Sequence, residues 1–188
     1  MDPEKVENWH FVKLWNAGKL PTVGLDVYLE IAQRVGIFLN CFSVLDVNTA
    51  PFLSEVMGIS DEEAGIILGV FRNYRDRLKL IGELLSARKL AKERHDQFAS
   101  LLKEMEWAVQ TRNKYAHAQY GFVDEVKDKS LRVSWLTDSR KTTDEIISAE
   151  SVQEDVDRAK CLLDALFDLL APARKLGPSP GTRPDKAP

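Results

Sequence analysis

Residues 98–121 read FASLLKEMEWAVQTRNKYAHAQYG. Phe98, Leu101, Leu102, Met105, Ala108 and Val109 recur at three- and four-residue steps, as the buried face of a helix does. The pattern runs into the polar RNKYAH and is predicted to end near Gln119, with Gly121 as a stop. Beyond that point the period changes. GFVDEVKDKSLRVSWLTD (121–138) alternates apolar and polar residues on both sides of KDKS, with Phe122 and Val123 before it and Leu131, Val133 and Trp135 after it. That alternation predicts a β-hairpin over about 120–136, and a third short strand at 144–147 fits the same reading.

Working outward, helical periodicity dominates. Leu25, Val27, Tyr28, Ile31, Ala32, Val35, Phe38, Leu39 and Phe42 mark one helix from Leu25 to about Val47. Asn48–Ser60, with Pro51 and Gly58, reads as a connection. SDEE at 60–63 is a capping-box arrangement, and a long helix is predicted from about Asp61 to Ala87, with a break around Ser86–Leu90. Gly65, Gly69 and Gly82 inside it each cost about 1 kcal/mol against Ala, which predicts close packing by another helix at those points. After the strands, Ser148 or Ser151 caps a last helix with Val152, Val156, Ala159, Leu162, Leu163, Leu166, Phe167 and Leu170 as its stripe.

The expected fold is therefore mainly α: a four- to five-helix bundle with a small β-hairpin inserted between the third and last long helices. Residues 1–23, with Trp9, Phe11, Leu14 and Trp15, form an arm or short helix, 24–175 the helical domain, and 176–188 a Pro- and Gly-rich tail expected to be disordered.

A chain of 188 residues with 44% hydrophobic and 29% charged residues is long enough to bury a core unaided. Apolar runs such as Val35–Val47 are interrupted by Gly36, Asn40 and Asp46, so no membrane span is expected. The acidic, polar start MDPEKVENWHF is unlike a secretory signal, which points to a cytoplasmic protein. Cys41 and Cys161 lie in apolar helical contexts without metal-ligand neighbours and read as small core residues, and no metal or cofactor is expected. A formal net charge of -3 argues against a chain coated for nucleic acid. The charge is uneven, however. Between Arg72 and Arg94 eight basic residues stand against three acidic ones, either as a solvated helix face or, through Arg72, Arg75 and Arg77, as a surface for an RNA backbone.

RNKYAH admits two readings. In the structural one, Arg112 pairs with a carboxylate, Asn113 with nearby backbone, and His117 caps the helix end. In the chemical one, Asn113 and His117 stand one turn apart on one face and Arg112 curls across to join them. Histidine exchanges a proton near neutral pH and arginine offers a permanently charged fork to phosphate oxygens. Together they suit metal-free RNA cleavage, with His117 moving the proton, Arg112 stabilising phosphoryl charge and Asn113 orienting. One helix supplies one such His, so a symmetric dimer would complete the acid and base pair. His10 and His95 have no telling partners and read as surface or boundary residues. Trp107, five residues before Arg112, reads as core before stacking platform.

RNKYAH at the end of a long helix resembles the signature of the HEPN superfamily, in which Arg precedes His by a few residues and Asn often follows the Arg directly. Arg112, Asn113 and His117 match that pattern, and the order of elements over roughly 25–172 is similar. The resemblance implies a four- or five-helix bundle that dimerises with the two motifs facing each other. It also implies, for many members, metal-independent RNase activity in toxin and phage-defence systems. Arg112, Asn113 and His117 would then be catalytic, with Arg72, Arg75, Lys114 and Tyr115 as candidates to hold RNA or a nucleotide. The hairpin is a departure from the simplest family pattern. A non-catalytic dimeric nucleotide-binding or protein-interaction module is the alternative, and a complex with a cognate antitoxin or a nucleotidyltransferase is a third.

Overall fold

The computed structural model describes residues 25–117, 119–122, 131–136 and 142–174. The arm at 1–23, the tail at 176–188 and the KDKS connection lie outside them. The chain is mainly helical: α1 (Leu25–Val47), α2 (Thr49–Met57), α3 (Asp61–Gly69), α4 (Tyr74–Ala87), α5 (Lys92–His117), then strands β1 (Gln119–Phe122), β2 (Leu131–Leu136) and β3 (Thr142–Ile147), and α6 (Ala149–Arg174). The chain divides into two compact units. One is built from residues up to Phe42 and Gln110–Ala159, the other from Ser43–Val109 and from Lys160 onward.

In the second unit, Phe52, Leu53, Val56, Ala64, Leu68, Leu78, Ile81, Leu85, Phe98 and Met105 are buried. The Phe52 and Phe98 rings meet edge to face at 5.5 Å, an arrangement aromatic quadrupoles favour. Where a connection was expected, Thr49–Met57 is helical. Pro51 stands third in that helix, where a missing N–H removes only a donor that has no intrahelical acceptor anyway. Asn48 marks the turn before it, bonding back to Val44 through both its backbone N–H and its side chain. Gly58 closes α2 in the left-handed conformation, at φ 66°, which glycine adopts without a Cβ penalty.

The expected helix over 61–87 is two helices. Ser60 and Glu63 form the predicted reciprocal capping box at the start of α3, and the two Ser60 hydrogen bonds hold the Glu63 carboxyl below its ordinary pKa. Helix α3 stops at Gly69, and Asn73 starts α4 afresh, its side chain accepting from the Arg75 N–H at 3.0 Å. The glycines divide as well. A Cβ on Gly82 would lie 3.2 Å from Leu102 Cδ2, so close helix approach explains that residue, while Gly65 and Gly69 have nothing within 4 Å. Close packing therefore explains one glycine of the three. Buried Thr49 and half-buried Tyr74 share a 2.7 Å hydroxyl contact, and Thr49 also donates to Leu45 O.

In the first unit, Ile31, Phe38, Cys41, Tyr115, Ile147, Val152 and Val156 are buried. Three antiparallel strands form a sheet in the order β1-β2-β3, with Gln119 opposite Ser134 and Leu131 opposite Ile147. Sheet and helix join at Ser148. Its N–H donates to Ser151 Oγ at 3.0 Å and its Oγ accepts from the Ser151 N–H at 3.2 Å, so Ser148 is the N-cap. Cys161 is exposed, contrary to the core role expected of it, whereas Cys41 is buried. Position 161 falls just beside the Ala159–Leu162 stripe rather than on it.

One segment, Leu29–Met57, is long and apolar enough by length and composition to cross a membrane. Ile31, Phe38, Leu45, Phe52, Leu53 and Val56 in it are buried within the protein, while Leu29, Ile37 and Val47 are exposed.

Candidate functional site

The motif residues span the last two turns of α5, with Arg112 and Asn113 in the turn before the last and His117 at the helix end, two residues before the predicted Gln119. Gln119 instead opens β1. The sequence changes there from helix-forming residues to alternating ones, so strand pairing ends the helix before Gly121 is reached.

Arg112, Asn113 and His117 come together. Arg112 Nη1 donates to Asn113 Oδ1 at 3.2 Å and to His117 Nε2 at 2.9 Å. A guanidinium only donates, so Nε2 accepts, and the imidazole in this arrangement carries its proton on Nδ1. The Arg112 guanidinium carbon also stands 5.9 Å from the centroid of Phe42, at the outer range of a cation–π contact. Arg112 and Asn113 are half-buried and His117 is exposed. Among the described residues, the partners that hold Arg112, Asn113 and His117 together are one another's side chains.

The next two positions behave differently. Lys114 is largely covered, with its Nζ 3.4 Å from Glu145 Oε1 and 3.4 Å from Asp155 Oδ2. Tyr115 is buried rather than presented to a ligand: its hydroxyl donates to Asp155 Oδ2 at 2.5 Å, and its ring meets Phe38 edge to face at 5.4 Å. Tyr115 is thus a core residue, and the Lys114 charge is drawn inward by two carboxylates. Nothing in the periodicity marked Asp155 or Glu145. Their partners lie 40 and 31 residues away in sequence, and only the signs of the charges could have hinted at a pairing.

Arg72 and Arg75 belong to the other unit, where both are exposed. Several neighbours in the basic run serve the fold. Arg77 bonds Asp46 at 3.0 Å and Phe71 O at 3.1 Å. Arg88 reaches the carbonyls of Val56 and Met57 at the end of α2. Arg94 bonds Glu55 at 2.7 Å and lies over Phe98. Among the described residues, no three His, Cys, Asp or Glu side chains gather as metal ligands would. Trp107 is half-buried, closer to the core role than to an open stacking platform.

Comparison of the chain with family models, with curated proteins and with solved structures gave no match. The site therefore rests on its own chemistry.

Proposed function

We propose that this chain is a HEPN-like, metal-independent endoribonuclease that acts as a homodimer. The observation that carries the reading is the convergence of Asn113 and His117 on the Arg112 guanidinium, at 3.2 and 2.9 Å. In the reaction the ribose 2'-oxygen bonds to the adjacent phosphorus and the bond from phosphorus to the 5'-oxygen breaks. His117 of one subunit takes the 2'-hydroxyl proton, and His117 of the partner subunit protonates the departing 5'-oxygen. Arg112 neutralises charge growing on the non-bridging oxygens. A phosphate oxygen is a stronger acceptor for guanidinium than imidazole nitrogen. Substrate that takes the Nη1 donor therefore frees the Nε2 lone pair, so binding arms the base.

The test is cleavage of single-stranded or looped RNA by purified protein in EDTA, leaving a 2',3'-cyclic phosphate. His117→Ala should slow it by about 10²–10⁴-fold, the usual contribution of a positioned general acid or base. Cleavage by that variant at the wild-type rate ends the reading.

A non-catalytic module is the second reading, favoured by the fact that Arg112 already has internal partners. It expects no cleavage under any condition and a clear fall in Tm for Arg112→Ala.

A further inference from the structure

We infer that Asp155 is a positioning residue for the Arg112–Asn113–His117 constellation, acting through Tyr115 and Lys114. Its effect on rate rests on the nuclease reading above; its effect on the geometry of His117 does not.

The last turn of a helix has carbonyls without intrahelical partners and is the part that frays. In α5 that turn carries His117, and Arg112 and Asn113 stand in the turn just before it, so whatever holds the turn sets the geometry of the three. Two successive residues of the turn are tied to three other elements. The Tyr115 ring rests edge-on against Phe38 of α1, while its hydroxyl donates to Asp155 Oδ2 of α6 at 2.5 Å. Lys114 Nζ lies 3.4 Å from that same oxygen and 3.4 Å from Glu145 Oε1 of β3. A single carboxylate oxygen thus joins both tethers. The Asp155 side chain is 22% exposed and that of Lys114 is 14% exposed, so the pair is shielded from competing water and its hydrogen bonds are strengthened accordingly.

Orientation follows from helix geometry. His117 stands two residues beyond Tyr115, about 200° further around the helix. Holding Tyr115 inward therefore turns His117 outward, and His117 is exposed as that requires. Asn113, two residues before Tyr115, is set by the same rotation. If Asp155 is lost, the turn can rotate or fray, and the Arg112 to His117 contact loses its fixed length.

The experiment follows the imidazole carbon–proton resonances of the three histidines in the full chain, with His117 identified by the signal missing in His117→Ala. Asp155→Ala and Tyr115→Phe should each move the His117 signal and leave that of His95 in place. Tyr115→Phe keeps the ring on Phe38, so it serves if Asp155→Ala does not fold. Asp155→Asn, which still accepts from Tyr115, should return the signal most of the way. In RNA cleavage, both disruptive variants should lose between about tenfold and a hundredfold in kcat, with KM within about twofold of wild type. A folded Asp155→Ala or Tyr115→Phe with an unmoved His117 signal overturns the inference. If the wild-type protein cuts no RNA while the signal moves as described, the nuclease reading falls and the positioning role stands.

Discussion

The arginines that clamp the α1–α2 region and the one near the C-terminal end of α5 are used in opposite ways. Arg77, Arg88 and Arg94 reach partners 31 to 39 residues away in sequence: a carboxylate, two helix-end carbonyls and another carboxylate. Arg112 bonds side chains one and five residues away, an amide oxygen and an imidazole nitrogen. The long-range group closes the fold. Among the described residues, the local one reaches beyond its own helix only through the 5.9 Å approach to the Phe42 ring, and its neutral acceptors give way to a phosphate more readily than carboxylates would. A count of positive charge along the chain misses this difference, because Arg72–Arg94 is the denser basic run yet much of it is directed at the protein itself.

Substitution can break the comparison. The largest effect is expected at the local arginine. Arg112→Ala should lower RNA cleavage by about 10²–10³-fold, the scale of losing one charge-stabilising donor, with Tm little changed. A large fall in Tm with no cleavage in the wild type would put Arg112 among the clamps. Next comes Arg88→Ala, which removes cationic donors from the α2 carboxyl end. It should cost about 1–2 kcal/mol, a Tm decrease of about 2–4 °C for each kcal/mol in a chain of this size, with cleavage at the wild-type rate. Loss of cleavage there would dissolve the distinction. The smallest effect sharpens the baseline. Ser60→Ala should cost about 1 kcal/mol as a lost N-cap, again without touching cleavage.

Ser60→Ala also carries a pH signature. The Glu63 carboxyl is held low by Ser60, so its contribution is complete above the ordinary carboxylate pKa and is lost as pH falls through the lowered value. The stability gap between wild type and variant should therefore narrow as the solution is acidified, without closing, because the Ser60 N–H bond to Glu63 remains in the variant and the lost bond from the Glu63 N–H to Ser60 Oγ does not titrate. A stability gap that stays constant from neutral to acidic pH would remove Glu63 from the cap.

Sequence patterns carry the fold where the physics is local. The Ser60 capping box and the stripes of α1, α5 and α6 depend on residues three or four apart, and periodicity is made of such spacings, whereas the choice of Ser148 over Ser151 as cap is decided by the hydrogen bonds between them. The break at residues 70–73 was hidden because apolar spacing continues through it from Ile67 to Tyr74, and only the Asn73 cap interrupts the backbone. Pro51 reads as part of a connection because its place in a first turn depends on where α2 begins. Of the site, the Arg112, Asn113 and His117 grouping follows from helix rotation. Tyr115 was misjudged because its aromatic ring suits stacking and burial equally, and Phe38 and Asp155 decide between them.

The contact between Thr49 and Tyr74 gives the second unit an optical property. Burial pushes the Tyr74 phenol well above its ordinary value, with Thr49 opposing the shift only in part. Folding therefore favours the protonated phenol, an advantage intact below about pH 10 and lost as the solution becomes more alkaline. Tyr74 should keep its ultraviolet spectrum unionised until the unit around it opens. Its phenolate absorbance, missing in Tyr74→Phe, then becomes a label-free signal of alkaline unfolding, reporting from beside the helices rather than from the site.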